Sequence, residues 1–173
     1  TTTGSGAHGI YNLNNNSSTL AADGSITTAG SDAYGIYNFG DNNTTTIAGD
    51  ITTTGSGAHG IYNLGDDNSS TLAAGGSITT SGSDAAGIYN FGDSKETTVF
   101  GSISTGGERA YGIYNKVSNN TTTISNGGGI STEGVDAYGI YFSGNNSTAT
   151  VGGDITTTGS GAHGIYNLNN NSS

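Results

Sequence analysis

The sequence predicts an all-β fold, a right-handed parallel β-helix with three short strands per coil, and three observations predict it. Gly-Ile-Tyr recurs seven times, starting at Gly9, Gly35, Gly60, Gly87, Gly112, Gly139 and Gly164, with 25 to 27 residues between copies. A fixed period of this length marks a repeat architecture. Each repeat carries three short runs of Ile, Val, Leu or Thr separated by corners rich in Gly, Asn, Asp and Ser, the pattern of strands and turns. A helical solenoid is excluded by the Gly and Thr content and by the absence of 3.6-residue periodicity.

The first strand of a repeat is Ile51-Thr52-Thr53-Thr54, with Ile and the second Thr facing inward on a period of two. Later copies begin at Ile26, Ile78, Ile103, Ile130 and Ile155, while the first repeat lacks the Ile. A Gly follows in every copy, from Gly4 and Gly30 to Gly134 and Gly159, as a positive φ or a close approach requires.

The second strand contains Ala58-His59-Gly60-Ile61-Tyr62-Asn63, with Ile inside, Tyr outside and Asn inside at the corner that follows. Its invariant Ala and Gly indicate tight packing and a bulge at the Gly.

The third strand is Thr44-Thr45-Thr46-Ile47 and its equivalents, preceded by an Asn/Asp/Ser/Gly cluster in which the length changes concentrate. A Gly two residues before the next Ile closes the coil. Seven coils stacked about 4.8 Å apart make a rod of roughly 34 Å. Parallel crossovers within one sheet are almost always right-handed, which sets the expected hand. The left-handed hexapeptide type needs a six-residue sub-period that is absent.

Stacking turns each repeat position into a column. The outward tyrosines Tyr11, Tyr37, Tyr62, Tyr89, Tyr114, Tyr141 and Tyr166 form either a contact strip for carbohydrate, a surface or a sister fibre, or a ladder of rings stabilising the rod. Asn12, Asn38, Asn63, Asn90, Asn115 and Asn167 are expected to form a structural ladder of amides bonded from coil to coil, with Phe142 in the remaining place.

A further column reads Gly6, Asp32, Gly57, Asp84, Arg109, Asp136, Gly161. It is read as charge spacing along the stack, since like charges directly opposite destabilise. His8, His59 and His163 lie two or more coils apart, too far to share a metal, and read as tolerant outward positions. Gly4-Ser5-Gly6-Ala7-His8-Gly9 matches G-x-G-x-x-G, but a strand follows where a dinucleotide site needs a helix. The Asn-x-Ser/Thr triplets are turn composition. Corner acids such as Asp66 and Asp67 suit at most loosely bound calcium, because no G-G-x-G-x-D repeat is present; no other cofactor is expected.

Residues Thr1 to Ser18 return letter for letter as Thr156 to Ser173, a shift of 155 residues or six coils. With no atypical coil at either end, residues 1–173 read as a single solenoid segment, an uncapped excerpt of a longer tandem array. Net charge is −10, from thirteen acids against Lys95, Arg109 and Lys116, a surface that avoids nucleic acid and anionic membranes. No apolar run approaches the roughly 18 residues a membrane span needs.

Coils such as Ile26-Thr27-Thr28 to Ala33-Tyr34-Gly35-Ile36-Tyr37-Asn38 give the chain a resemblance in style to the β-helical passenger domains of bacterial autotransporters and related large surface adhesins. The resemblance implies export to the bacterial cell surface and a role in adhesion or as an extracellular fibre; it transfers no functional residues. The expected function is a structural, adhesive rod or stalk that is not an enzyme. Its partners would be further copies of itself, end to end or side by side, and cell-surface or carbohydrate ligands. Two other classes remain open. A polysaccharide-acting enzyme would use the irregular repeat from Ile103 through Glu108-Arg109 to Lys116, and an ice-binding solenoid would use Thr-x-Thr rows such as Thr52/Thr54, which Thr27/Ala29, Ser104/Gly106 and Ser131/Glu133 interrupt.

Overall fold

A computed structural model describes all residues, Thr1–Ser173, and contains nineteen strands and no helix. One coil shows how the strands arise. Asp50–Thr53, Ile61–Leu64 and Ser69–Leu72 are its three strands, and each pairs in parallel with its counterparts one coil before and one coil after. The result is a β-solenoid of three parallel sheets, one of seven strands and two of six. Register is strict, so that Ile61 lies between Ile36 and Ile88 and Tyr62 between Tyr37 and Tyr89.

Alternation along each strand divides inside from outside. Ile51 and Thr53, Ile61 and Asn63, and Ser70 and Leu72 are buried, whereas Thr52, Tyr62 and Thr71 face outward. Each coil therefore adds one aliphatic side chain from each sheet to a narrow core. Ile36, Ile61, Ile88, Ile113 and Ile140 stack from the second strands, Ile51, Ile78, Ile103 and Ile130 from the first, and Ile47, Leu72, Val99 and Ile124 from the third. A chain of modest apolar content buries enough surface because every one of these residues is shared between two neighbouring coils.

The corner between first and second strand has three devices. Thr53 Oγ1 donates to Ala58 O across the turn, as do Thr28 to Ala33, Thr80 to Ala85, Thr105 to Ala110 and Thr132 to Ala137, all at 2.5–2.6 Å, which is why that inward position is always Thr. Gly60 has no room for a side chain: a Cβ there would lie 2.3 Å from Ile78 Cγ2 and 2.6 Å from Gly87 O. Close approach, rather than a bulge, accounts for the Gly. The positive φ sits elsewhere, at Gly57 (66°) and its column mates Asp32, Asp84, Arg109 and Asp136. The Gly column at Gly55 is instead confined by the carbonyl oxygen of Gly30, 2.0 Å from where a Cβ would stand.

Candidate functional site

The Asn column lies inside the second strands rather than at the corner after them. Asn12 donates its side-chain amide to Asn38 Oδ1 at 2.8 Å, and Asn38 to Asn63, Asn63 to Asn90 and Asn90 to Asn115 follow, each at 2.7 Å. The second amide proton goes to a hydroxyl seven residues on: Asn38 to Thr45, Asn63 to Ser70, Asn90 to Thr97 and Asn115 to Thr122. Phe142 occupies the next place, wholly buried, and Asn167 is exposed.

The Tyr column runs along the outside of the same sheet, half-buried over most of its length. Tyr37, Tyr62, Tyr89, Tyr114 and Tyr141 stack with centroids 4.8–5.2 Å apart and planes within 13° of parallel. Tyr11 meets Tyr37 edge-on, and Tyr166 is tilted against Tyr141.

Three residues upstream in every coil but one, a second column of rings packs against the first, edge-on through the middle of the rod and more nearly parallel at its ends, where His8 meets Tyr11 and His163 meets Tyr166. It contains His8, Tyr34, His59, Tyr111, Tyr138 and His163, the positions read from sequence as tolerant and outward. That reading needs correction at His59. This ring is stacked 5.3 Å from Tyr34, only 8% exposed, and accepts the Ala86 backbone N–H on Nδ1 at 2.9 Å. His8 accepts from Tyr34 N at 3.1 Å in the same way. The recurring Ala-His-Gly gave no warning of this, because an acceptor for the next coil's backbone leaves no periodicity signal of its own. Burial pulls the His59 pKa down to about 3, against a weaker upward pull from Asp84. It pushes the Tyr34 and Tyr111 phenols up to about 12, aided by neighbouring phenols and, at Tyr34, by Asp32.

The second column has one gap. Ala86 stands where other coils carry a ring, so the stack from His8 through Tyr34 stops at His59 and resumes at Tyr111. The gap opens a pocket of about 290 Å³, with the Tyr89 and Tyr114 rings along one side. Asp84 and Arg109 stand at its rim. Arg109 grips Asp84 through both carboxylate oxygens, Nε to Oδ1 at 2.8 Å and Nη2 to Oδ2 at 2.9 Å, and holds Glu108 with Nη1. The column read as charge spacing is thus first a column of left-handed backbone positions, which Gly and Asp tolerate. Only in this coil does it also form a salt bridge.

Lys95 takes a buried corner place that Asn43, Asn68 and Asn120 hold in neighbouring coils. Its Nζ has no hydrogen-bond partner. Asp41, Asp66 and Asp93 follow one another in adjacent coils beside it, each carboxylate accepting the backbone N–H of the residue one coil up. No three or more His or acidic side chains come together as a metal-binding group. The chain matches no protein-family model, no curated protein and no solved structure.

Proposed function

We propose that the chain is a stiff structural rod, a length of extracellular fibre or stalk on a bacterial surface, with adhesive contacts made by its outer columns and no catalytic role. The observation that carries this reading is the in-register stacking of the Ile and Tyr columns through every coil, with the Asn ladder beside them from Asn12 to Asn115. Regular columns give uniform stiffness along the axis, and the outward-facing Tyr and Thr columns repeat one contact many times, which suits weak multivalent attachment. The resemblance to autotransporter passengers and large adhesins supports the location. Copies of the same coil, stacked end to end or side by side, are the proposed self-partners, and cell-surface or carbohydrate ligands the proposed others.

Electron microscopy of intact cells labelled with an antibody against one repeat tests the reading. Labelled fibres many times longer than seven coils are expected. Label confined to short particles or to the medium would overturn the fibre.

A further inference from the structure

The gap at Ala86 is the one place where the ring stack is interrupted between two complete stretches, and it coincides with the only salt bridge between coils. His59 and Tyr111 bound it from two coils apart, roughly 9.6 Å at a coil spacing of about 4.8 Å, so one inserted ring would lie at stacking distance from both. Ala86 lines the opening and is itself buried beneath it. The opening's volume of about 290 Å³ is at the small end for ligand pockets and fits a single ring.

The rim determines what kind of ring. Arg109 uses three N–H groups on Asp84 and Glu108, which leaves two of its five free. Asp84 accepts one bond on each oxygen and keeps a lone pair on each. Spare donors beside spare acceptors match neighbouring hydroxyls, each of which both donates and accepts. Arg109 is already neutralised by Asp84, and the chain carries −10 overall, so an anionic ligand gains no free cation and meets a repulsive field. Neutral phenol and imidazole faces supply the apolar contact.

We infer that this opening binds the pyranose ring of a neutral sugar, held between His59 and Tyr111 with its hydroxyls on the Asp84–Arg109 pair. The inference goes beyond the rod reading and does not depend on it: a rod without the sugar site, or a sugar site on a chain that forms no fibre, would each be visible separately.

The test is ligand-observed NMR on the 173-residue chain with methyl glycosides of glucose, galactose and mannose, alongside galacturonate and p-cresol. At least one neutral glycoside is expected to bind with Kd on the order of 1 mM, and galacturonate at least tenfold more weakly at low salt. Ala86→Tyr restores the ring that Tyr34, Tyr111 and Tyr138 place in this column and should abolish binding. Arg109→Gly keeps the left-handed backbone, as Gly57 and Gly161 do, and should weaken binding about tenfold. Circular dichroism confirms that both variants keep the β-solenoid. Binding of p-cresol without any sugar, equal binding to the Ala86→Tyr variant, or no binding of any neutral glycoside would each overturn the assignment.

Discussion

Asn115 donates its side-chain amide to Thr122 Oγ1 at 3.1 Å, and one coil later the same two positions hold Phe142 and Ala149, both buried. The polar pair has been exchanged for an apolar one as a unit. A large ring replaces the amide and a methyl replaces the hydroxyl, so neither half is left without a partner. Phe142→Asn alone would return an amide to a site that offers no hydroxyl and would remove a buried ring; it should cost roughly 3–5 kcal/mol. Adding Ala149→Thr should recover at least about 1 kcal/mol of that loss, a coupling that a double-mutant cycle in urea would read directly. Strict additivity would show that the two positions are independent.

Two glycines three residues apart should differ in what substitution costs them. Gly60→Ala drives a methyl into Ile78 Cγ2 and the Gly87 carbonyl, backbone that the neighbouring coil cannot move without breaking its own ladder. A loss of about 3 kcal/mol or more is expected. Gly57 has a φ of 66°, which Asn adopts readily, and the nearest obstacle to a Cβ is only the carboxylate tip of Asp32. Gly57→Asn should stay within about 1 kcal/mol of the parent in chemical denaturation. Equal losses would mean that the coil does not distinguish close approach from backbone conformation.

Lys95 should be a site where substitution stabilises. Its ammonium is buried and unpartnered, and its pKa falls to about 8 because desolvation outweighs the attraction of Asp66, Asp41, Asp67 and Asp93. A lysine side chain also offers no acceptor, whereas Asn43 and Asn120 in this column each accept a backbone N–H from a neighbouring coil. Lys95→Asn should therefore raise stability at pH 7 by about 1–3 kcal/mol. Between about 8 and the ordinary 10.5 the unfolded chain binds more protons, so the parent should gain about 2 kcal/mol on going from pH 7 to 9.5, a gain that the variant lacks. A less stable variant at pH 7 would instead make Lys95 the necessary counterion of the Asp41, Asp66 and Asp93 column.

The three sheets were legible from the sequence because a repeat shows the same residue in the same environment several times over. Ile51 and its equivalents could be placed inward from the period of two, and parallel stacking from the spacing alone. What stayed illegible are the places where one position serves two purposes. Alternation of Gly with Asp from Gly6 to Gly161 looked electrostatic, yet its common cause is a positive φ, and charge is secondary to backbone. The gap at Ala86 was visible as a letter but not as a cavity, because a missing ring acquires meaning only once the rings on either side are known to stack. His59 was misread for a related reason: its Nδ1 bond reaches across coils, between residues 27 apart in the chain.

His59 makes acid the condition that tests the aromatic columns. With a folded pKa depressed to about 3 from 6.5, the ring stays neutral while the same residue in the unfolded chain takes up a proton. Between those values the unfolded state binds more protons, so the stability associated with this ring is complete above about pH 6.5 and is lost as the pH falls toward 3. At pH 4 the loss should be about 3 kcal/mol. A parent curve alone contains every pH-dependent contribution in the chain, and Asp84 faces this ring. His59→Tyr isolates the one of interest, since Tyr34, Tyr111 and Tyr138 occupy this column in other coils. Urea unfolding of both proteins at pH 7 and pH 4 should show the parent losing about 3 kcal/mol more than the variant over that interval. Parallel losses would mean that His59 is solvated and titrates normally, and the tightly packed imidazole beside the Ala86 gap would have to be abandoned.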